Sequence, residues 1–347
     1  MSNLCSVLIV GVGSIGERHL RCFQATGRAE VSFVEINESL RATIAERYKV
    51  AGYPTHLAAL ADTSSTSPGG AGAKRFHAAV IATPANHHVA IATRLAEAGL
   101  HLLIEKPLST STTGVDRLVS EVRERKVVAG VAYVLRSIPG LASMREAIQS
   151  GRFGAPVEIV GVAGQNFPTY RPAYRETYYT KRATGGGAIQ DAITHMINAG
   201  EWLVGPIDRL VADGAHQVLE GCDVEDTAHV LTRQGKVLGS YNLNQHQAPN
   251  ELTLTVVCER GTVRWESHLN RWRWTTQPDE PWHDEPYEPL TRDAPFIAQA
   301  HQFLDAIEGK APPRCSLAEG LQTLRVNLAA LKSLDDAAWQ SIRTSPR

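Results

Sequence analysis

Residues 4–16 read LCSVLIVGVGSIG, an apolar run followed by three glycines in the spacing Gly-x-Gly-x-x-Gly. The run suits a buried β-strand, and the apolar residues of Ser14–Ala25 have the spacing of a helix. In such a strand–turn–helix unit the first glycine makes the turn, the second lets the backbone approach a pyrophosphate, and the third lets the helix pack close to the sheet. Free N–H groups at the start of the helix also favour phosphate. The predicted dinucleotide contacts in this turn are Gly11, Gly13, Ser14, Ile15 and Gly16.

An acidic residue, Glu35, ends the second predicted strand, nineteen residues after Gly16. A carboxylate at this place accepts hydrogen bonds from the adenosine ribose hydroxyls and repels a 2′-phosphate. The residues that follow Glu35 offer no cation before Arg41. The sequence therefore favours NAD as the cofactor, with NADP as the less favoured alternative.

Up to about residue 125, short apolar runs alternate with helical patterns, as in a parallel sheet wound with helices. The predicted strands are Leu4–Val10, Val31–Ile36, Ala78–Ala82, Leu100–Ile104 and Val127–Tyr133. The predicted helices are Ser14–Ala25, Glu38–Tyr48, His87–Ala98 and Thr110–Arg125. Asn86 is expected to cap the third of these helices, and Gly99 to end it. The polar stretch Asp62–Ala73 has no apolar period and is predicted to be a surface insertion.

After about residue 137, several strands follow one another without helices between them, which indicates an antiparallel sheet. The predicted strands are Val157–Asn166, Ala228–Thr232, Val237–Leu243, Leu252–Val257 and Thr262–Trp265. The predicted helices are Leu141–Gln149, Ala294–Ile307 and Leu317–Leu331, and the last is expected to pack back on the first domain. The sequence thus predicts an α/β protein: residues 1–136 form a Rossmann domain with a doubly wound parallel sheet, and residues 137–347 form an α+β domain for substrate binding and oligomerisation.

The overall composition argues against several classes of partner. The chain has 43% hydrophobic and 20% charged residues and a formal net charge of −1, so it offers no electrostatic reason to bind nucleic acid or an anionic membrane. No apolar run is long enough to span a bilayer. The five cysteines are odd in number and share no C-x-x-C spacing, which favours reduced thiols in the cytoplasm and no metal site.

Two segments carry residues suited to acid–base chemistry. Lys106 lies in an EKP sequence that leaves a predicted strand at the carboxyl edge of the sheet, where open α/β sheets bind ligands, so we expect it beside the nicotinamide. In Gly185–His195, which reads GGGAIQDAITH, Asp191 and His195 are four residues apart on one helical face. Oxidation of an alcohol needs a base for its proton and a group that stabilises the alkoxide, and histidine and lysine suit these roles. A lone Asp-x-x-x-His can also be structural, but the glycines before it and the lysine at the sheet edge favour a function.

A second loop is expected to reach the cofactor. Thr83-Pro84-Ala85-Asn86 follows the predicted strand Ala78–Ala82 at the same carboxyl edge, where it would touch the ribose or the nicotinamide. The predicted cofactor contacts on this loop and the EKP loop are Thr83, Pro84, Asn86, His88, Glu105 and Lys106.

The segment just before the Asp191 helix is rich in aromatic and basic residues. Residues 170–182 read YRPAYRETYYTKR, with four tyrosines and four cations. Aromatic faces stack on sugar rings, and arginines bind carboxylate, sulfonate or phosphate groups through two parallel hydrogen bonds. The segment therefore suits a sugar, in particular an anionic one bound by Arg171 and Arg175, or else it is a solvated loop tied to a neighbouring subunit. The tryptophans of the second domain favour packing or an interface over substrate stacking.

The motifs GVGSIG, ATPANHH, EKPL and GGGAIQDAITHMINA, in this order, resemble the glucose-fructose oxidoreductase / inositol dehydrogenase / rhizopine-catabolism (Gfo/Idh/MocA) family over essentially the whole chain. The resemblance implies a second domain with a large, open, mostly antiparallel sheet that forms homodimers or homotetramers. It also implies that Lys106 and His195 are catalytic and that Asp191 binds a substrate hydroxyl. Arg136 is kept, but Val134 stands where this family often has asparagine. The expected substrate contacts are Lys106, Arg136, Tyr174, Arg175, Asp191 and His195.

Three functions are compatible with these motifs. The favoured one is an NAD(H)-dependent oxidoreductase that moves a hydride between nicotinamide and a secondary alcohol of a sugar, sugar acid or cyclitol. An NAD-dependent glycosidase, which oxidises a ring carbon transiently to permit elimination, needs the same residues. A non-catalytic NAD-dependent sensor is the third alternative, although such a protein is expected to lose the lysine or the histidine, and both are present.

Overall fold

The structure of the protein is a computed structural model that describes residues 4–62 and 76–342. All of the predicted insertion Asp62–Ala73 except Asp62 lies outside these residues. In the part of the chain that is described, no helix is both long enough and apolar enough to cross a membrane.

The chain divides into two compact units. The first unit extends to Ala132 and includes Thr291–Leu317. The second unit comprises Tyr133–Leu290 and the chain from Ala318 onwards. The sequence predicts a single domain boundary after residue 136. In the structure the first unit ends four residues earlier, at Ala132, and also includes the later segment Thr291–Leu317.

The first unit is built on a parallel sheet. Among the described residues this sheet has six strands in the order β3-β2-β1-β4-β5-β6, and every neighbouring pair is parallel. The strands are β1 (Cys5–Val10), β2 (Ala29–Val34), β3 (Gly52–Tyr53), β4 (Ala78–Ile81), β5 (His101–Ile104) and β6 (Ala129–Val131). The helices are α1 (Ser14–Ala25), α2 (Glu38–Tyr48), α3 (His56–Ala61), α4 (His88–Glu97), α5 (Val115–Glu124) and, from the later segment, α9 (Ala294–Ile307).

This strand order has its switch point between β1 and β4, where doubly wound sheets open a crevice for a ligand at the carboxyl ends of the strands. β4 is fully buried along its four residues. Continuous apolar runs of this kind suit a strand that helices cover on both faces. The predicted Rossmann architecture is therefore confirmed.

The second unit is built on a mostly antiparallel sheet. Within the described residues this sheet has nine strands in the order β14-β13-β12-β11-β7-β10-β9-β8-β15, and its pairs are antiparallel except for the parallel pair of β10 with β7. The strands are β7 (Pro156–Gly164), β8 (Arg209–Ala215), β9 (Thr227–Gln234), β10 (Val237–Asn244), β11 (Glu251–Cys258), β12 (Gly261–Glu266), β13 (Arg271–Thr275), β14 (His283–Pro286) and β15 (Gln340–Ser341). The helices are α6 (Pro139–Gln149), α7 (Phe167–Tyr170), α8 (Thr194–Val204) and α10 (Leu317–Asp336).

One face of this sheet carries the main core of the unit. Side chains that alternate along the strands, such as Tyr241, Leu254 and Trp265, are fully buried and join residues of α6, α8 and α10 in one cluster. Trp265 and Trp272 are core residues, in line with the packing role expected for them. The α+β architecture with a large, mostly antiparallel sheet is confirmed.

Several helix boundaries differ from the prediction: α6 begins at Pro139 and α10 ends at Asp336, and the starts of α4 and α5 also move. A short 3₁₀ turn, Ala85–His87, precedes α4, so the α-helix begins at His88, and the Asn86 side chain does not cap it. Pro84 is extended, with a ψ of 141°, and is the N-cap residue of this 3₁₀ turn. α5 begins at Val115 and not at Thr110, because Gly114 has a φ of +77° and interrupts any helix that would start earlier.

The packing of the last helix on the Rossmann domain stays a prediction, and the helix found within the first unit is α9. Arg21 on α1 donates two hydrogen bonds to Asp293, at 2.5 and 2.9 Å, and Phe303 packs edge-on against Phe23 with ring centroids 6.2 Å apart. α10 contributes Val326 to the core of the second unit. Both helices carry apolar residues at helical spacing, so the pattern alone did not distinguish their partners.

Phe303→Ala should lower the free energy of unfolding by about 3–5 kcal/mol, because Phe303 is 3% exposed in the core of the first unit. Urea denaturation would measure this change. Leu57→Ala in the same unit is the control, since Leu57 is 62% exposed and should change stability by less than about 0.5 kcal/mol. A loss below about 1 kcal/mol for Phe303→Ala would contradict the assignment of α9 to this core.

Candidate active site

The glycine turn after β1 has the geometry that the motif predicts. Gly11 has a φ of +85°, and a Cβ added to Gly16 would lie 1.9 Å from the Gly11 carbonyl oxygen, so α1 approaches the turn as only glycine permits. A Cβ added to Gly13 would meet nothing within 4 Å. The space beside Gly13, at the amino end of α1, therefore fits a pyrophosphate against bare backbone.

Glu35 follows β2 and reaches this turn. One carboxylate oxygen of Glu35 accepts a hydrogen bond from the Val12 amide at 3.2 Å, and the other accepts one from the Asn37 amide at 2.9 Å. Arg41 donates to the Glu35 carbonyl oxygen at 2.8 Å. The structure thus places an oriented carboxylate beside the glycine turn, as the sequence predicts.

The loop after β4 lies next to the same turn. A Cβ on Gly11 would be 3.2 Å from the Thr83 methyl group. The Thr83 hydroxyl is buried and has no hydrogen-bond partner among the described residues, so it is an open polar contact for a ligand. Asn86 is exposed, and its amide lies 3.4 Å from the His87 ring. Pro84, which precedes it, is also exposed.

His88 was predicted to contact the cofactor, but it is buried behind the loops. One ring nitrogen lies 2.7 Å from the Thr83 carbonyl oxygen and the other 3.0 Å from the Pro107 carbonyl oxygen. Burial lowers the pKa of His88, although these two carbonyl groups favour the protonated ring. His88 therefore ties the loop after β4 to the loop after β5.

Glu105 and Lys106 follow β5 at the same edge of the sheet. Glu105 is 6% exposed, and its carboxylate lies 2.7 Å from Nε2 of His19 on α1. Its other oxygen accepts a hydrogen bond from the Lys106 amide at 3.0 Å. Burial alone would raise the pKa of Glu105, but the hydrogen bond and charge of His19 and the charge of Lys106 outweigh it, so the pKa lies below its usual value. The carboxylate that supports the Lys106 backbone is thus kept ionised.

In the second unit, the segment that carries Asp191 is a π-helical turn, Ala188–Ile193, leading into α8. Such turns are rare and are often found at functional sites. The buried Glu225 anchors it, because its carboxylate accepts from the Ile189 amide at 3.1 Å and its carbonyl accepts from the Ala188 amide at 2.8 Å. Gly187 has a φ of +91°, and a Cβ there would lie 2.5 Å from the Glu225 carboxylate. This explains the predicted importance of the glycines.

Asp191 is 1% exposed, and both of its carboxylate oxygens are engaged. One accepts a hydrogen bond from the Tyr178 hydroxyl at 2.7 Å, and the other accepts one from Arg171 at 3.2 Å. Arg171 and Tyr178 themselves are about half exposed, on the aromatic–basic segment. Asp191 is therefore hydrogen-bonded to the aromatic–basic segment through the guanidinium group of Arg171 and the phenol of Tyr178.

His195 lies in the first turn of α8, one residue beyond a buried network. Its ring packs edge-on against Tyr133 with centroids 6.0 Å apart. The Tyr133 hydroxyl lies 3.0 Å from the Thr194 hydroxyl, which also accepts a hydrogen bond from Asn327 at 2.8 Å. These contacts fix the backbone and the ring orientation at His195 within the second unit.

Three other residues predicted at the substrate are engaged elsewhere. The Tyr174 ring is buried in a small aromatic cluster, and its hydroxyl donates to the Glu220 carbonyl at 2.7 Å. Arg175 binds the same carbonyl at 3.0 Å and the Glu220 carboxylate at 3.1 Å. Arg136 is 1% exposed and donates to Asn198 at 2.8 Å and to Glu319 at 2.6 Å. Tyr174 and Arg136 are buried by these contacts, whereas the side chain of Arg175 is 50% exposed.

His19 and Glu225 are polar anchors that the sequence reading did not identify. His19 lies three residues after Gly16 on the inward face of α1, where a single histidine is typical of a core position. The one sequence signal that could have identified His19 is its spacing from the last glycine of the turn, Gly-x-x-His. Glu225 directly precedes Asp226, and neither residue belongs to a motif.

Two segments of the chain match known families. Residues 5–133 match the oxidoreductase family with an NAD-binding Rossmann fold, and residues 141–264 match the GFO/IDH/MocA C-terminal domain. The chain belongs to the GFO/IDH/MocA oxidoreductases. The family resemblance predicted from the motifs is confirmed.

Curated relatives in this family span most or about half of the chain. The UDP-N-acetylglucosamine 3-dehydrogenase of Acidithiobacillus ferrooxidans is 26% identical over 339 residues, which cover 93% of this chain and 94% of that protein. The rhizopine catabolism protein MocA of Rhizobium meliloti is 32% identical over 198 residues, which cover 57% of this chain and 56% of that protein.

Solved structures share the fold. Levoglucosan dehydrogenase in complex with NADH has a TM-score of 0.86 at 21% identity, covering 98% of this chain and all of that one. The WlbA dehydrogenase from Bordetella pertussis, in complex with NADH and UDP-GlcNAcA, has a TM-score of 0.80 at 24% identity, covering 99% of this chain and 100% of that one.

Replacing two glycines of the turn separates folding from cofactor binding. Gly16→Ala should lower the melting temperature, because its Cβ would overlap the Gly11 carbonyl. Gly13→Ala should melt like the wild type but bind NAD about tenfold or more weakly, because its methyl group fits the free protein and enters the pyrophosphate space. Thermal unfolding and calorimetry would measure the two effects. Wild-type NAD affinity in Gly13→Ala would place the pyrophosphate elsewhere.

Proposed function

We propose that this oxidoreductase is an NAD-dependent dehydrogenase acting on a ring secondary alcohol of a sugar, sugar acid or cyclitol. The observation that carries the proposal is the buried Asp191 carboxylate, held by Tyr178 and Arg171 and followed one helical turn later by His195. A carboxylate that accepts from a neighbouring substrate hydroxyl and an imidazole that accepts a proton are the groups that alcohol oxidation needs. Lys106, in the first unit, is the proposed third group.

Each of these side chains has a distinct proposed role. NAD, when bound by the glycine turn, Glu35 and Thr83, supplies the hydride acceptor. His195 accepts the hydroxyl proton at an imidazole nitrogen, and the Lys106 ammonium group stabilises the negative charge that develops on the oxygen. Asp191 accepts a hydrogen bond from a second hydroxyl and so selects a substrate with neighbouring hydroxyl groups.

The relatives support a cyclic polyol as the substrate class. One is named for oxidation at carbon 3 of UDP-N-acetylglucosamine, and a myo-inositol 2-dehydrogenase of Thermotoga maritima is 22% identical over 287 residues, which cover 75% of this chain. What these named substrates share is a six-membered ring with secondary hydroxyl groups. We therefore place the ring, and not a particular substituent on it, at Asp191 and His195.

Contacts with Asp191 favour Arg171, one of the two arginines expected to bind an anionic substrate, and add Tyr178. Tyr174 and Arg175 are bound to Glu220, whereas Arg171 and Tyr178 touch Asp191 directly. We propose that Arg171 and Tyr178 line the substrate. Arg171 then donates hydrogen bonds to a substrate hydroxyl or, in a sugar acid, to a carboxylate.

NAD is the proposed cofactor in preference to NADP. The Glu35 carboxylate is held at the glycine turn by the Val12 and Asn37 amides, so it is oriented before any ligand binds. A fixed carboxylate there accepts from ribose hydroxyls and repels a 2′-phosphate.

The outer face of the second unit's sheet is the proposed surface for homo-oligomerisation. Val162 on β7, Leu231 on β9 and Leu238 on β10 are 41%, 52% and 47% exposed and point to the side opposite the core. Exposed apolar side chains that share one face of a sheet favour burial against a partner.

Alanine variants of His195 and Lys106 test the proposed catalytic roles. His195→Ala and Lys106→Ala should each lower kcat/KM for oxidation by about 10²–10⁴-fold with little change in NAD affinity. Oxidation by the wild type should fall at acidic pH, because a protonated imidazole cannot accept a proton, and His195→Ala should lose that fall. Lys236→Ala, at an exposed lysine in the turn between β9 and β10, is the control. NADH absorbance with hexoses, uronates, inositols and glycosides measures the rate. Release of an aglycone without net NADH would indicate a glycosidase instead.

Cofactor choice is tested at Glu35. Glu35→Ser should weaken NAD binding and reduce the discrimination against NADP, since the variant loses both the ribose acceptor and the negative charge. Calorimetry with each dinucleotide measures the two affinities, and Glu38→Ser on the exposed start of α2 is the control. Tighter binding of NADP than NAD by the wild type would contradict the role given to Glu35.

Oligomerisation is tested at Leu231. Leu231→Arg should shift the protein to a smaller species in light scattering after gel filtration, because it places a charge on the face that is proposed to be buried against the partner. Leu57→Arg changes an equally exposed residue of the first unit and should leave the size unchanged. An unchanged size for Leu231→Arg, or a monomeric wild type, would contradict an interface on this face.

A further inference from the structure

We propose that His19 is a positioning residue for Lys106, acting through Glu105. The inference rests on the proposed role of Lys106 in catalysis. It gives a function to the buried pair of His19 and Glu105, neither of which takes part in the reaction itself. His19 does not touch the substrate, since the residue is fully buried on the inward face of α1.

The pair joins two segments of the first unit, and a third segment packs against it. His19 comes from α1, Glu105 follows β5, and the two side chains meet at 2.7 Å with 1% and 7% of their surfaces exposed. Because a carboxylate only accepts, His19 must carry its proton on Nε2 and donate it. The ring is held in place edge-on by Phe296 of α9, with centroids 5.9 Å apart.

The pair acts on the Lys106 backbone. The Glu105 oxygen that is not bound to His19 accepts from the Lys106 amide at 3.0 Å, so the carboxylate has one donor on each side. On the other side of the loop, His88 lies 3.0 Å from the Pro107 carbonyl oxygen. The Lys106 backbone, from which the side chain extends, is thus held from both directions.

Removing His19 leaves a buried carboxylate oxygen without a donor. The carboxylate then rotates toward another donor, and this rotation releases the Lys106 amide from its other oxygen. Small displacements of a reacting group cost large factors in rate even when substrate still binds. The loss should therefore appear in kcat more than in KM.

A buried ion pair is not by itself evidence for stability, because hydrophobic replacements of such pairs are often equally stable. The direct contact of Glu105 with the Lys106 amide gives the pair a local consequence. If the pair only stabilised the fold, loss of His19 would affect the Lys106 amide no more than other amides of the unit. If the pair positions Lys106, the loss affects that amide specifically.

The experiment measures hydrogen exchange of the Lys106 amide in the full-length, cofactor-free protein labelled with ¹⁵N-lysine, with Lys106→Arg for assignment. The Lys310 amide, bonded to the Asp305 carbonyl at 2.9 Å in the same unit, is the internal reference. The variants are His19→Ala, His19→Gln, whose amide can replace Nε2 as the donor, and the control His301→Ala on α9. Should His19→Ala not fold, His19→Asn, whose shorter amide cannot reach Glu105, takes its place.

His19→Ala should speed exchange at Lys106 at least about tenfold with Lys310 within about twofold, and His19→Gln should restore most of the protection. With an active substrate, His19→Ala should lower kcat roughly 10–100-fold and change KM less than about threefold. Unchanged exchange at Lys106, equal changes at both amides, or a glutamine variant no better than alanine would overturn the proposal. The exchange result decides it even if no alcohol is oxidised, so its failure is distinguishable from failure of the proposed function.

Discussion

Buried carboxylates whose oxygens must all find donors organise the polar parts of this protein. Glu105 is bound by His19 and the Lys106 amide, Asp191 by Tyr178 and Arg171, and Glu225 by the Ile189 amide and Arg182. An ionised group without partners at such depth is costly, so each carboxylate fixes the segment that supplies its donors. These hydrogen bonds give one conformation to loops whose structure the hydrophobic pattern of the sequence does not predict. The same loops carry the proposed active-site residues.

The architecture could be predicted from the sequence because it depends on local signals. β1 and β4 are continuous apolar runs, the glycine turn admits one strand–turn–helix geometry, and β9 to β12 alternate with period two. Where local signals do not decide, a tertiary contact does. α9 joins the first unit through Asp293 and Phe303, and no feature of its sequence separates it from α10 as a partner for α1.

The site could be predicted in part for the same reason. Lys106, Asp191 and His195 lie in short motifs with their own chemistry, and Glu35 has a fixed distance from the glycine turn. The roles of Tyr174 and Arg175 could not be judged from composition, because their contacts with Glu220 join residues about 45 positions apart. His19 and Glu105 are 86 residues apart, and only the parallel sheet brings them together.

In the proposed reaction a hydride moves from a ring carbon of a polyol to NAD on this protein. Carbon-deuterated hexoses, uronates and inositols, incubated with the protein and NAD, would label the dinucleotide, and mass spectrometry would detect the label. We expect NADH carrying one deuterium from at least one member of the panel. NAD that binds the protein but acquires no deuterium from any cyclic polyol would contradict it and indicate a dinucleotide-binding protein without this chemistry.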